Sequence, residues 1–141
     1  MSGGTFRRVG KSETTLYGPR AMLVCGFPGS EKNGVVDLVR GIGLENLSVV
    51  FASADDGTAR VGELLARPDM SGLNSAHGPV RAIVLSGITE KELHMILSRY
   101  RESGMPRPLW ATLTPVSVNW CLADLLSELD AERRAMEKRS S

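Results

Sequence analysis

AMLVCGFPGSEKNGVVDLVRGIGLENLSVVF, residues 21–51, holds one complete strand–helix–strand unit. Its first five residues, Ala21 to Cys25, are apolar without interruption, the pattern of a strand covered on both faces rather than one. Ser30 then opens a stretch in which Val35, Val36, Leu38, Val39 and Ile42 share one helical face, and Gly41 and Gly43 end it. Leu47 to Phe51 is a second apolar, β-branched run. A sheet buried on both sides needs a helical layer on each, so this unit predicts an α/β fold with a mostly parallel sheet.

The same alternation continues downstream. Asp55 or Asp56 caps a short helix carrying Val61, Leu64 and Leu65, which Pro68 stops. Residues 69–80, with Gly72, Ser75, Gly78 and Pro79, form the longest loop. Strand three runs from Arg81 to Leu85. Thr89-Glu90-Lys91-Glu92 is a capping box, followed by Leu93, Ile96, Leu97 and Tyr100 at helical spacing and closed by Gly104. Strand four spans Leu109 to Thr114 beyond Pro106-Arg107-Pro108. The last helix starts near Asn119, buries Leu122, Leu125, Leu126 and Leu129, and is highly charged from Asp130 to Arg139. Four βα units thus form a single three-layer domain over residues 20–141, preceded by a Gly-, Ser- and Thr-rich flexible tail, residues 1–19.

Two segments echo each other. Gly26 aligns with Gly87, Phe27 with Ile88 and Gly43 with Gly104, a constant offset of 61 residues. Shared βα grammar and an internal duplication both account for the echo. In either case two right-handed units give the strand order 2-1-3-4, a Rossmann-like layout with strands one and three side by side in the centre of a mostly parallel sheet. The two turns would then face each other across a switch-point crevice at the carboxyl ends of the strands. Gly26, Phe27, Gly29, Ser30, Ser86, Gly87 and Thr89 are the ligand-binding residues this reading selects. Backbone amides at a helix start suit a small anionic or nucleotide-like ligand.

Composition and spacing exclude several alternatives. A net charge of +1 gives no field to gather nucleic acid or an anionic membrane, and no apolar run approaches membrane-spanning length. Cys25 and Cys121 lie far apart, and neither they nor His77 and His94 have metal-ligand spacing. Gly10-Lys11-Ser12 resembles the end of a P-loop, but Thr5 stands where its first glycine belongs and no strand precedes it. In the turn Gly26 to Ser30 the glycine spacing matches no nucleotide motif, and Pro28 lacks an amide donor. No serine-histidine-aspartate set occupies a nucleophile elbow, and no cofactor is specified. Ser53, Ser86, Thr89, Thr112 and Thr114 form a polar rim at the strand ends, and Trp110 and Trp120 are core residues. A cytosolic, non-enzymatic module binding a small anion, a protein partner or a second copy of itself is the leading reading. The alternative is a small enzyme using Cys25, or Asp55 and Asp56, in redox or group-transfer chemistry.

Gly87 with Thr89 to Leu93, the stretch from Gly104 to Pro115, and Asn119-Trp120 together resemble a family of small bacterial proteins of unknown function, common in anaerobes. The resemblance covers most of residues 20–130. It implies a bacterial cytoplasmic protein and carries no activity or catalytic residue.

Overall fold

In the computed structural model, residues 14–140 are described. The order is β1 (Ala21–Cys25), α1 (Gly29–Gly41), β2 (Ser48–Phe51), a 3₁₀ turn (Asp56–Thr58), α2 (Val61–Leu65), β3 (Ala82–Ser86), α3 (Glu90–Ser103), β4 (Leu109–Thr112), a second 3₁₀ turn (Ser117–Asn119) and α4 (Leu122–Ser140). The strands form one sheet in the order β2-β1-β3-β4, as the sequence predicts.

Every residue of β1 and β3 is buried, which is why both read as unbroken apolar runs. Side chains alternate across the sheet. Met22, Val24, Ile83 and Leu85 meet α1 and α3 on one face through Val35, Val39, Ile96 and Tyr100. Leu23, Cys25, Ala82 and Val84 meet α2 and α4 on the other through Val61, Leu64, Leu122 and Leu125. The result is the three-layer arrangement.

The sheet is mostly parallel, as expected, with one antiparallel pair at its centre. β1 pairs with β2 in parallel and β3 with β4 in parallel, but β1 and β3 are antiparallel, with Ala21 opposite Ser86 and Cys25 opposite Ala82. The cause is the connection between the halves. The short α2, Val61–Leu65, and the residues after it bring the chain back beside Val49 near the start of β2, but β3 does not begin there. Instead the following loop runs beside β2 in β2's own direction: Met70 N–H donates to Val49 O, Phe51 N–H to Ser71 O, and Ala54 N–H to Ala76 O. β3 therefore begins where β1 ends and must run the other way.

That reversal turns the echo into an approximate twofold axis through the centre of the sheet. The 61-residue offset relates every element, not just the first three: Ala21 to Ala82, Asp56 to Ser117, Val61 to Leu122. Leu23 and Val84, equivalent positions, face each other across the antiparallel pair. Arg60 and Cys121, also equivalent, form an isolated bridge, flanked by reciprocal bonds from Val61 N–H to Trp120 O and from Leu122 N–H to Ala59 O, both 2.9 Å. The ion pairs match too, Arg20 with Glu92 and Arg81 with Glu31.

Local departures have local causes. The N-cap of α1 is Pro28 rather than Ser30, and that of α2 is Arg60 rather than Asp55 or Asp56, because Asp56 starts a 3₁₀ turn of its own. Residues 14–19, expected in the tail, are tied to the domain: Thr15 bridges Thr89, Leu16 N–H donates to Ile88 O, and Gly87 N–H donates to Tyr17 O. The remainder of the expected tail, residues 1–13, and the Gly10-Lys11-Ser12 motif lie outside the described residues. Among the described residues no helix is long and apolar enough to cross a membrane.

Candidate functional site

The antiparallel centre places the two glycine turns at opposite ends of the sheet, so they do not line one crevice. Gly26 takes φ +75° and passes so close to the opposite half that a Cβ would stand 2.2 Å from Val80 O. Gly87 takes φ +65°, and its Cβ would stand 2.5 Å from Gly18 O. Both conformations and both approaches require glycine. Each turn is packed against the residues leading into the neighbouring central strand.

The other residues selected from sequence have definite places. Phe27 is buried in the α1/α3 core, edge-on to Tyr100 and with the Arg81 guanidinium 4.5 Å from its ring centre. Gly29 and Ser30 are exposed in the first turn of α1, where Glu31 pairs with Arg81. Ser86 is fully buried, and among the described residues its hydroxyl has no hydrogen-bond partner. Thr89 caps α3: its hydroxyl accepts from Glu92 N–H at 3.1 Å, and the Glu92 carboxylate accepts from Thr89 N–H at 2.9 Å. Of this set, Gly26 borders a cavity.

That cavity, about 320 Å³, opens at the carboxyl ends of the parallel pair β1–β2, between the sheet and α4. Cys25 and Gly26 contribute from β1, Ala52 and Ser53 from the end of β2, and Gly57 from the following turn. Leu122 and Leu126 of α4 form the apolar wall, with Ser127 and Asp130 beside them, and Gly78 to Val80 close the side. The twofold relation explains the space. Where the first half has Ala52 and Gly57, the second has Leu113 and Val118, and Leu113 is buried. Small residues on one side of the axis thus leave room that larger ones occupy on the other.

The electrostatics of the cavity are lopsided. Asp130 is its one charged lining residue; hydrogen bonds from Arg133 above all, then the charge of Arg134, hold its carboxyl below the usual range, so it is ionised near neutrality. Cys25 is the opposite case. Burial, helped by the nearby Asp56 charge, pushes its thiol up to about 12. A thiol so placed is protonated at physiological pH and is a poor nucleophile. Asp56 would be raised by its burial, but the Arg67 ion pair and the Ser53 amide outweigh this and hold it below the usual carboxylate range. Its oxygens are already engaged, at 2.8 Å by Ser53 N–H and at 3.0 and 3.1 Å by Arg67, while Asp55 is exposed. Among the described residues no group of three or more histidine, cysteine or acidic side chains could hold a metal ion.

The expected polar rim is divided in the same way as the turns. Ser53 lies at the cavity, whereas Thr112, Thr114 and Ser86 lie at the far end of the sheet, where the Thr114 and Ser117 hydroxyls bond each other at 3.1 Å. Sequence reasoning missed Asp130, the first residue of the charged run, and Ser127 just before it, as cavity residues.

Residues 81–136 match the model of a domain of unknown function, DUF3783. The matched stretch begins just before β3 and ends within α4, so it corresponds to the second half of the twofold arrangement. No curated protein and no solved structure matches the chain.

Proposed function

We propose that the chain is a cytosolic binding domain without catalytic chemistry of its own, and that the cavity at the ends of β1 and β2 takes a small molecule with an apolar body and a hydrogen-bond-donating or cationic end. One observation carries this reading: at equivalent positions the two halves differ so that space opens in the first, at Ala52 and Gly57, and is filled in the second, by Leu113 and Val118. A cavity of about 320 Å³ suits a compound at the small end of the ligand range. Apolar walls supply affinity, and Asp130 supplies orientation. Asp130 is paired with Arg133 at 2.7 Å and Arg134 at 2.8 Å, and among the described residues the lining holds no cationic side chain to receive the anion expected from the helix start. Two free cysteines, Cys25 and Cys121, fit a reducing compartment. The engaged Asp56 and the protonated Cys25 leave the cavity without an activated nucleophile or base.

Ligand-observed NMR with tryptamine and phenethylamine, against indole-3-acetate and phenylacetate, tests the proposal. The amines should bind and the acids should not. Replacing Ala52 with leucine (A52L) copies the second half into the first and should abolish amine binding while the protein stays folded. Failure of both amines to bind, or binding unchanged in A52L, would rule the reading out.

A further inference from the structure

The two outer edges of the sheet are equivalent by the twofold relation but are treated differently. At β2 three outward backbone groups are engaged. Val49 N–H donates to Asp69 Oδ1 at 2.7 Å, Val49 O accepts from Met70 N–H at 2.7 Å, and Phe51 N–H donates to Ser71 O at 2.8 Å. Arg40 holds the Asp69 carboxylate in place with bonds of 3.0 and 3.2 Å, and Met70 packs against the α1/α3 core. The chain thus covers its own edge with an acidic residue, a large apolar residue and a backbone strip.

At β4 the same sites recur without the cover. Leu109 N–H donates to Arg81 O and Leu113 N–H to Leu85 O, both 2.9 Å, which fixes the phase of the strand and turns the amides of Trp110 and Thr112 outward. Nothing among the described residues bonds those outward groups. Arg101 stands at the position of Arg40 and Trp110 at that of Val49, yet among the described residues no carboxylate pairs with Arg101. Beside them lies a groove of about 410 Å³ lined by Leu97, Tyr100, Met105 and Trp110, with Arg101 and Arg107 at its border.

We infer that the outer edge of β4 docks an extended segment of a protein partner, one that carries an acidic residue followed by a large apolar residue. The acidic group sits between the Arg101 guanidinium and Trp110 N–H, as Asp69 sits between Arg40 and Val49 N–H. The apolar side chain enters the groove against Trp110, and the partner backbone bonds Trp110 O and Thr112 N–H, adding a short strand to the sheet. Charge complementarity selects this occupant over a second copy: pairing β4 with β4 would bring arginines to arginines, and Pro108, which has no amide hydrogen, shortens the edge that a self-pairing sheet would need. The site is independent of the cavity at the other strands.

The chain's own covering segment supplies the probe. A peptide of the sequence Arg67 to Ser75, RPDMSGLNS, is titrated into the full chain and followed by isothermal titration calorimetry and by tryptophan fluorescence. Saturable binding is expected, weakening with added salt and becoming about tenfold weaker when the peptide carries Asp69→Asn or the protein Arg101→Gln. Arg101 is exposed on α3, so R101Q should melt with the parent protein, which separates a lost contact from a lost fold. Absence of peptide binding overturns the inference, as does binding indifferent to both substitutions. Sedimentation showing a dimer that the peptide does not dissociate would assign the edge to a second copy instead.

Discussion

Lys32 is 3 % exposed, yet among the described residues no carboxylate forms an ion pair with it. Its ammonium donates to the carbonyls of Ser75, Leu73 and Gly72 at 2.8, 3.0 and 3.3 Å and lies over the Phe51 ring. It thereby pins the long loop against β2, a role that nothing in the helical pattern of α1 announces, because its partners lie some forty residues away. Cys25 shows the same dependence on distant neighbours. Its thiol is 2 % exposed, with its titration pushed up to about 12 mainly by burial. Mixed with Ellman's reagent at pH 8, the folded protein should therefore show one reacting thiol, the half-buried Cys121, with Cys25 reacting only on unfolding. Reaction of Cys25 at the rate of a free thiol would restore the enzymatic alternative.

At the scale of the element, α3 was fully legible. Its capping box needs residues only three apart, and both hydrogen bonds form as the sequence requires. What the local pattern does not contain is the second task of Glu92, a fork of bonds from Arg20 at 2.6 and 2.7 Å that ties the start of β1 to the start of α3. The Arg20 bonds first, then the Thr89 amide, hold the Glu92 carboxyl at about 2, below its ordinary 4.5, against an opposing effect of burial. A carboxyl depressed by folding stabilises the protein above its unfolded value, and that contribution is lost as pH falls through the folded value. Acid titration should thus show stability declining between pH 4.5 and about 2, and Glu92→Gln should flatten that part of the curve relative to the parent. Chemical denaturation at a series of pH values measures the difference; parallel curves for the two proteins would show that the pair contributes nothing.

The whole molecule is held together across its twofold axis. β1 and β3 are the two central strands and belong to different halves, and the bonds of Val61 to Trp120 and Leu122 to Ala59 close the opposite face. Each half alone would expose a fully buried strand edge and half of each core. Residues 14–75 and 76–140 expressed separately should therefore lack native circular dichroism, whereas the intact chain should unfold in a single transition. A half that folds alone with native-like spectra would show that the axis joins independent units. Shared βα grammar explains the matched glycines but not the matched ion pairs of Arg20 with Glu92 and Arg81 with Glu31.

Period and punctuation act over a few residues, and they determined the strands, the helices, the layers and the strand order: short unbroken apolar runs between turn residues read as strands covered on both faces, and glycines mark where the turns fall. Direction across the centre was not written there. It depended on a loop running up the outer edge of β2, through backbone bonds between residues about twenty positions apart that no local pattern encodes. That one reversal separated the seven residues selected from sequence into two ends of the sheet. The tertiary structure alone decided where space remains, because a cavity at Ala52 and an edge at Trp110 that no described residue covers are differences between two halves whose sequences follow the same grammar.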